Sequence, residues 1–184
     1  MTVRVLTLVG SLRAGSHNRQ LAEAAVEHAP DGVHVEIYDD LADLPFYNED
    51  IDTTDTVPSA ATHLREAVTA ADAVLLCSPE YNGTIPAVLK NAIDWLSRPF
   101  GTGALQNKPT AVVGTAFGQY GGVWAQDEAR KAAGIAGAKV LDSATLSIPG
   151  SGTRFAETHP RNDTEVIEGL RKVLDELTAH ATAV

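Results

Sequence analysis

The sequence predicts an α/β domain on a doubly wound, five-stranded parallel sheet with helices on both faces. Three observations predict it. Short β-rich runs such as Val3–Val9 and Ala73–Cys77 are almost continuously apolar, the mark of strands buried on both faces. Stretches with apolar residues on one helical face separate these runs, so strand and helix alternate. Five such units fit within 184 residues without repeat, low-complexity tract or linker, so residues 1–184 read as one domain.

The elements follow in order. Val3–Val9 is the first strand, ended by Gly10-Ser11. A helix is expected from about Asn18 to His28, with Leu21, Ala22, Ala25 and Val26 on one face. Pro30-Asp31-Gly32 is a turn, and Val33, Val35 and Ile37 alternate as the second strand. Residues 39–58 are acidic and irregular, an expected surface excursion. Ser59–Ala70 reads as a helix, Ala73–Cys77 as the third strand, and Pro86 opens a helix that runs to about Ser97. On that helix Trp95 falls toward the edge of the apolar arc, where core packing and packing against a second subunit both suit it. Thr110–Gly114 is the fourth strand, Gly122–Ala133 a helix, and Val140–Ile148 contains the fifth strand. Asp163 begins a last helix that runs to about Ala179.

Composition excludes several function classes. The formal net charge of -10 repels a phosphate backbone, so nucleic acid is not an expected partner. An anionic ligand must then be met by local donors. No apolar run is long enough to span a bilayer, and the first residues lack a signal-peptide cleavage pattern, so a cytoplasmic protein without membrane contact is expected. One cysteine, Cys77, excludes a Cys-x-x-Cys pair; electron transfer here needs a bound cofactor. The six histidines show no metal-binding spacing, so no metal site is expected.

In a doubly wound sheet, ligands sit beyond the carboxyl ends of the strands. The loop Gly10–Asn18 joins strand to helix and exposes backbone N–H groups at the positive end of a helix dipole. Ser11, Ser16 and Asn18 add neutral donors, and Arg13 can fork onto phosphate oxygens. Ser16 and His17 stand where a nucleotide-hydrolysing loop needs Lys and Ser/Thr, and Leu12 replaces the second glycine of a dinucleotide fingerprint. Two readings remain: a pocket for a terminal phosphate, or an ordinary helix cap by Ser16 or Asn18 with Arg13 and His17 solvated. The loop from Ser78 to Pro86 is stiffened by prolines and turns at Asn82-Gly83; its backbone can meet the polar edge of a flat ring that Tyr81 flanks. Glu80 reads equally as a ligand contact or a charge at a helix N-terminus. The loop Gly114–Gly122 has glycines for close backbone approach, but Ala116 stands where a nucleophile elbow needs serine.

Gly-Ser-Leu-Arg-x-x-Ser-x-Asn at 10–18, Pro-Glu-Tyr-Asn-Gly-Thr-Ile-Pro at 79–86, and the continuation from Leu89 to Pro99 resemble the NADPH-dependent FMN reductases, a family that includes bacterial quinone and chromate reductases. The resemblance implies a flavodoxin-like fold holding FMN, with NADPH or NADH as co-substrate. It implies that Ser11, Arg13, Ser16 and Asn18 hold the phosphate, that Pro79, Glu80, Tyr81, Asn82 and Gly83 contact the isoalloxazine, and that residues 115–121, including Thr115 and Gly118, complete the pocket. It further implies a homodimer or homotetramer that passes a hydride from NAD(P)H through FMN to a quinone or similar small acceptor. The flavin carries that chemistry, so no catalytic side chain is expected. With one flavin-type pocket and no second nucleotide fingerprint, ping-pong turnover follows. The competing readings are a flavodoxin-type electron carrier, which the acidic charge suits, and a flavin redox sensor.

Overall fold

The structure is a computed structural model that describes residues 2–182. Strands β1 (Val3–Val9), β2 (Val33–Tyr38), β3 (Ala73–Cys77), β4 (Pro109–Thr115) and β5 (Lys139–Ile148) form one all-parallel sheet in the order β2-β1-β3-β4-β5. This is the flavodoxin order, with the topological switch between β1 and β3. Helices α1 (His17–Glu27), α2 (Ser59–Ala70), α3 (Ala87–Leu96), α4 (Val123–Ile135), the single turn α5 (Ser151–Arg154) and α6 (Thr164–Ala181) connect and cover it.

Each strand residue points to one face or the other, and the sequence supplies apolar side chains to both. Val3, Val5, Val9, Leu75, Cys77, Ala111 and Val113 pack under α1 and α6. Leu6, Leu8, Val74, Leu76 and Val112 pack under α2, α3 and α4. The helices end where their sequence directs. Ser16 caps α1 by accepting from the Arg19 N–H at 3.3 Å, and Asp163 caps α6 by accepting from the Val166 N–H at 3.2 Å.

Register positions the loops. Val9 pairs with Cys77, Cys77 with Val113, and Thr115 with Ile148, so the central strands end near one level. The loops after β1, β3 and β4 therefore emerge side by side. β5 starts one residue before the expected range, at Lys139, and its pairing with β4 jumps from Thr110–Val140 to Val112–Thr145; it ends at Ile148 and delivers Ser151 to the same end.

One expectation needs correction, and one open choice is decided. Residues 39–58 carry two 3-10 turns, Asp40–Asp43 and Glu49–Ile51, and bury Leu41 and Leu44 against α2 and α3. Trp95 is fully buried beneath this segment. Its indole N–H donates to the Pro45 carbonyl at 2.8 Å, Tyr47 meets its ring edge-on at 5.0 Å, and the Arg65 guanidinium lies 5.4 Å from its centroid. Trp95 cannot face a second subunit, because its own chain covers it; helical periodicity placed it at the edge of α3 but could not show what a preceding loop would cover.

The segment after β5 is anchored to α6 by charge. Arg154 donates to both Asp163 oxygens at 2.7 and 2.9 Å and to Glu165 at 2.7 Å. The Arg154 hydrogen bonds hold the Asp163 carboxyl below the usual aspartate range. A depressed folded-state pKa adds stability above the unfolded pKa, and that stability is lost as pH falls through the folded value. Asp163→Asn keeps the cap and removes the ion pair, so it should cost about 1 kcal/mol at neutral pH. Urea titrations should show this gap constant down to about pH 5 and closing below about pH 4.

Candidate active site

The β1 loop is shaped by backbone contacts. The Gly10 N–H donates to the Cys77 carbonyl at 2.9 Å, and a Cβ at Gly10 would lie 2.7 Å from Pro86 Cγ, so glycine lets β1 turn against the β3 loop. Ser16 is buried, and its oxygen is used as acceptor by the Arg19 N–H, which leaves its own O–H to donate. Arg13 is exposed and donates only to Ala14 O, at 3.3 Å, among the described residues. The helix-cap reading of Ser16 is thus what the structure contains, and it leaves Arg13 and the first N–H groups of α1 available to an anion.

Asn18 binds the backbone of β4. Its amide donates to the Thr115 carbonyl at 2.9 Å and accepts from the Thr115 N–H at 3.0 Å, both buried. Thr115 in turn donates its hydroxyl to Ile148 O at 2.8 Å. One carboxamide therefore ties the β1 loop to the end of β4, and Thr115 ties β4 to β5. The second amide N–H of Asn18 is not used in this clip.

In the β3 loop, Tyr81 and Thr84 exchange backbone hydrogen bonds around Asn82 (φ 54°) and Gly83 (φ 76°). Two successive positive φ angles make the type I′ pattern that favours Asn-Gly. The turn is braced against α4: the Glu128 carboxylate accepts from the Thr84 hydroxyl and from the Ile85 N–H at 3.3 Å, which lowers its pKa. Glu80 accepts from the Ala125 N–H at 3.3 Å, in the first turn of α4, whose cap residue Gly122 has no side chain to offer. The Tyr81 hydroxyl donates to Ser11 Oγ at 3.3 Å across the switch point.

These loops enclose a cleft of about 210 Å³ at the carboxyl end of the sheet. Ser11, Arg13, Ser16, Asn18, Pro79, Glu80, Tyr81, Thr115 and Gly118 line it together. Asn82 and Gly83 do not: they form the exposed tip of the turn that presents Tyr81. His17 and Ser151 line the cleft as well, and neither was expected there. His17 had no marker beyond its place between two polar residues. Ser151 follows β5, where the Gly150-Ser151 pair at a strand end was the available signal. Its N–H donates to Ala116 O at 3.0 Å and closes that wall.

The cleft has an anion-seeking and a flat, aromatic character. Arg13 and the α1 N-terminus supply the first character, and Tyr81 and Phe117, the latter 76% exposed, supply the second beside them: Phe117 lies 6.2 Å from the ring of His17, the first residue of α1. Neither the Glu80 carboxylate nor the Cys77 thiol is presented to it as a free base or nucleophile. Glu80 is engaged with α4, and Cys77 is fully buried with its thiol pushed up to about 12. Among the described residues no cluster of metal-ligating side chains occurs, and no helix is long and apolar enough to cross a membrane.

Residues 3–153 match the family model of the NADPH-dependent FMN reductases. The chain belongs to this family. It is 38% identical over 159 residues to a quinone reductase of Pseudomonas putida, covering 86% of this chain and 84% of the relative. It is 33% identical over 181 residues to a quinone reductase of Escherichia coli K12, covering 98% and 93%. In structure it is similar to FerB, a flavoenzyme NAD(P)H:(acceptor) oxidoreductase from Paracoccus denitrificans, with a TM-score of 0.86, 28% identity and coverage of 99% and 98%. The protein is therefore an oxidoreductase of an FMN- and NAD(P)H-dependent family.

The cleft fits that cofactor. Gly118 lines it, has no positive φ, and a Cβ there would meet no protein atom within 4 Å. Neither packing nor backbone strain within the chain calls for glycine at 118, and a side chain there would extend into the open space of the cleft. Gly114 is the contrast: a Cβ there would lie 2.2 Å from Ser78 O. Gly114→Ala should destabilise the fold by about 2 kcal/mol or more. Gly118→Ala should change stability by less than about 0.5 kcal/mol and still weaken FMN binding. Urea titration and flavin fluorescence measure the two effects separately.

Proposed function

We propose that this protein binds FMN in the cleft at the ends of β1, β3 and β4 and reduces quinones or similar small acceptors with NAD(P)H by a ping-pong mechanism. The observation that carries the reading is that Arg13 and the α1 N-terminus share one cleft with the aromatic rings of Tyr81 and Phe117. In it, Arg13, Ser11, the Ser16 hydroxyl and the free Asn18 N–H hold the phosphate. Pro79, Glu80 and Tyr81, with the Asn82-Gly83 turn behind them, and the wall from Thr115 to Gly118 meet the ring system. Bound FMN supplies hydride acceptance from the nicotinamide and electron delivery to the acceptor. The chain's part is to bind, orient and leave one ring face open, with backbone N–H groups to stabilise developing negative charge. The relatives' names support a quinone as acceptor.

One cleft of this kind serves both substrates, so they must occupy it in turn. NAD(P)H added anaerobically should bleach the flavin and a quinone restore its colour. Varying both substrates should give parallel double-reciprocal lines; intersecting lines would overturn sequential use of one site. Failure of NAD(P)H to bleach would favour the electron carrier that the net charge of -10 suits. FMN should bind far more tightly than riboflavin, and Arg13→Ala should weaken FMN by about 1.5–3 kcal/mol; equal affinity for the two flavins would remove the phosphate assignment.

We also propose a homodimer or homotetramer of these single-domain chains. In place of Trp95, the supporting surface is a groove of about 590 Å³ between α3 and α4, lined by Ile85, Ile93, Phe100, Ala132 and Ile135. Phe100 and Ile135 are 87% and 78% exposed, and apolar surface so exposed marks a contact site. Sedimentation at micromolar concentration should show at least a dimer, and Ile135→Glu should lower its association.

A further inference from the structure

His17 lines the cleft as the first residue of α1, between Ser16 and Asn18. Aromatic neighbours hold its ring: Phe117 at 6.2 Å and Phe155 at 5.7 Å between centroids, the latter edge-on. The protein's own hydrogen bonds leave both ring nitrogens free among the described residues. The cleft's charges also stand out of balance with its proposed ligand. Arg13 and Glu80 are its two formally charged side chains, one of each sign. A phosphate monoester approaches two negative charges above its second pKa of about 6, and the chain as a whole is acidic. His17 is the one other lining side chain that can become a cation.

We propose that His17 is a phosphate-binding residue of the cleft, neutral beside Arg13 while no phosphate is bound and protonated once a phosphate monoester seats between them, so that FMN affinity rises as pH falls. The proposal rests on the FMN reading and adds a titratable contact to it.

The charges that face His17 define the direction. Without ligand, burial comes first and the Arg13 charge second in lowering its pKa below the ordinary histidine value. The positive end of α1 acts in the same sense. The β4 wall adds only uncharged residues, Ala116 to Gly118. Beyond Phe155, the Arg154 guanidinium lies 5.9 Å from that ring, but Asp163 and Glu165 neutralise it. Glu80, elsewhere in the cleft, is engaged with the Ala125 N–H. A phosphate seated on Arg13 cancels the second influence, opposes the dipole and attracts the imidazolium. The bound-state pKa is therefore above the free-state value. Binding takes up a proton, and affinity increases as pH falls through the bound-state pKa, until the phosphate itself takes up a proton below its second pKa of about 6.

The holoprotein, diluted in phosphate-free buffer, releases flavin whose fluorescence reports the dissociation constant. From about pH 8 to about pH 6.5 the FMN dissociation constant should fall about two- to threefold, as a pKa displacement near one unit from a free-state value below that of ordinary histidine gives. His17→Phe, which keeps an aromatic ring against Phe117 and Phe155, should bind FMN without that slope. Riboflavin should show no slope with either protein. A flat wild-type profile, or the same slope in His17→Phe, overturns the role of His17 while the FMN reading stands. Riboflavin binding as tightly as FMN removes the reading itself. Should the variant fold poorly, titration calorimetry of wild type in two buffers of different ionisation enthalpy counts the proton directly; no uptake at neutral pH overturns the proposal.

Discussion

The buried carboxamide of Asn18 on the backbone of Thr115 is the contact on which the geometry of this cleft depends. Five parallel strands bring three loops to one end of the sheet, but parallel pairing constrains only the strands. Beyond Val9 and Thr115 the chain needs its own ties, because a backbone N–H or C=O buried without a partner costs as much as a lost hydrogen bond. Asn18 satisfies both groups of Thr115 at once. It thereby holds the start of α1 against the end of β4 and sets the width of the space between them.

The other ties follow the same logic from different chemistry. Gly114 lets β4 approach Ser78 O more closely than any side chain would permit. Glu80 supplies the cap that Gly122 lacks, so the β3 loop is joined to α4 by an anion at a helix dipole. Glu128 grips the far side of the same turn through Thr84 and Ile85. A pocket made of loops becomes rigid because each loop is bonded to an element it does not belong to. That rigidity suits a cofactor that carries its own reactivity and needs the protein for orientation.

The division between polar and apolar residues is equally functional. Polar side chains that face the cleft are either consumed by these ties or left as donors, and the single thiol is kept protonated in the core. The sheet's two apolar faces fix everything below the cleft, while the acidic surface leaves Arg13 and the α1 N-terminus as local donors at it. Outside the cleft, the groove between α3 and α4 leaves the apolar side chains of Phe100 and Ile135 exposed.

Much of this was legible in the sequence. Continuous apolar runs and helical stripes determined five strands, the burial of the three central ones on both faces and most helix ends, because periodicity, proline and capping residues act locally. The residue types at 10–18 and 79–86 also marked candidate contacts for an anion and a flat ring, and seven of the positions so marked line one cleft. Contacts between distant segments lay beyond it. Only the tertiary structure decided that Trp95 lies beneath Pro45 and Tyr47, that Asn18 spends its amide on Thr115, that Asn82 and Gly83 stay outside the cleft, and that His17 and Ser151 enter it. Each of these depends on which segments the parallel sheet brings side by side, and local pattern carries no record of neighbours fifty or a hundred residues away.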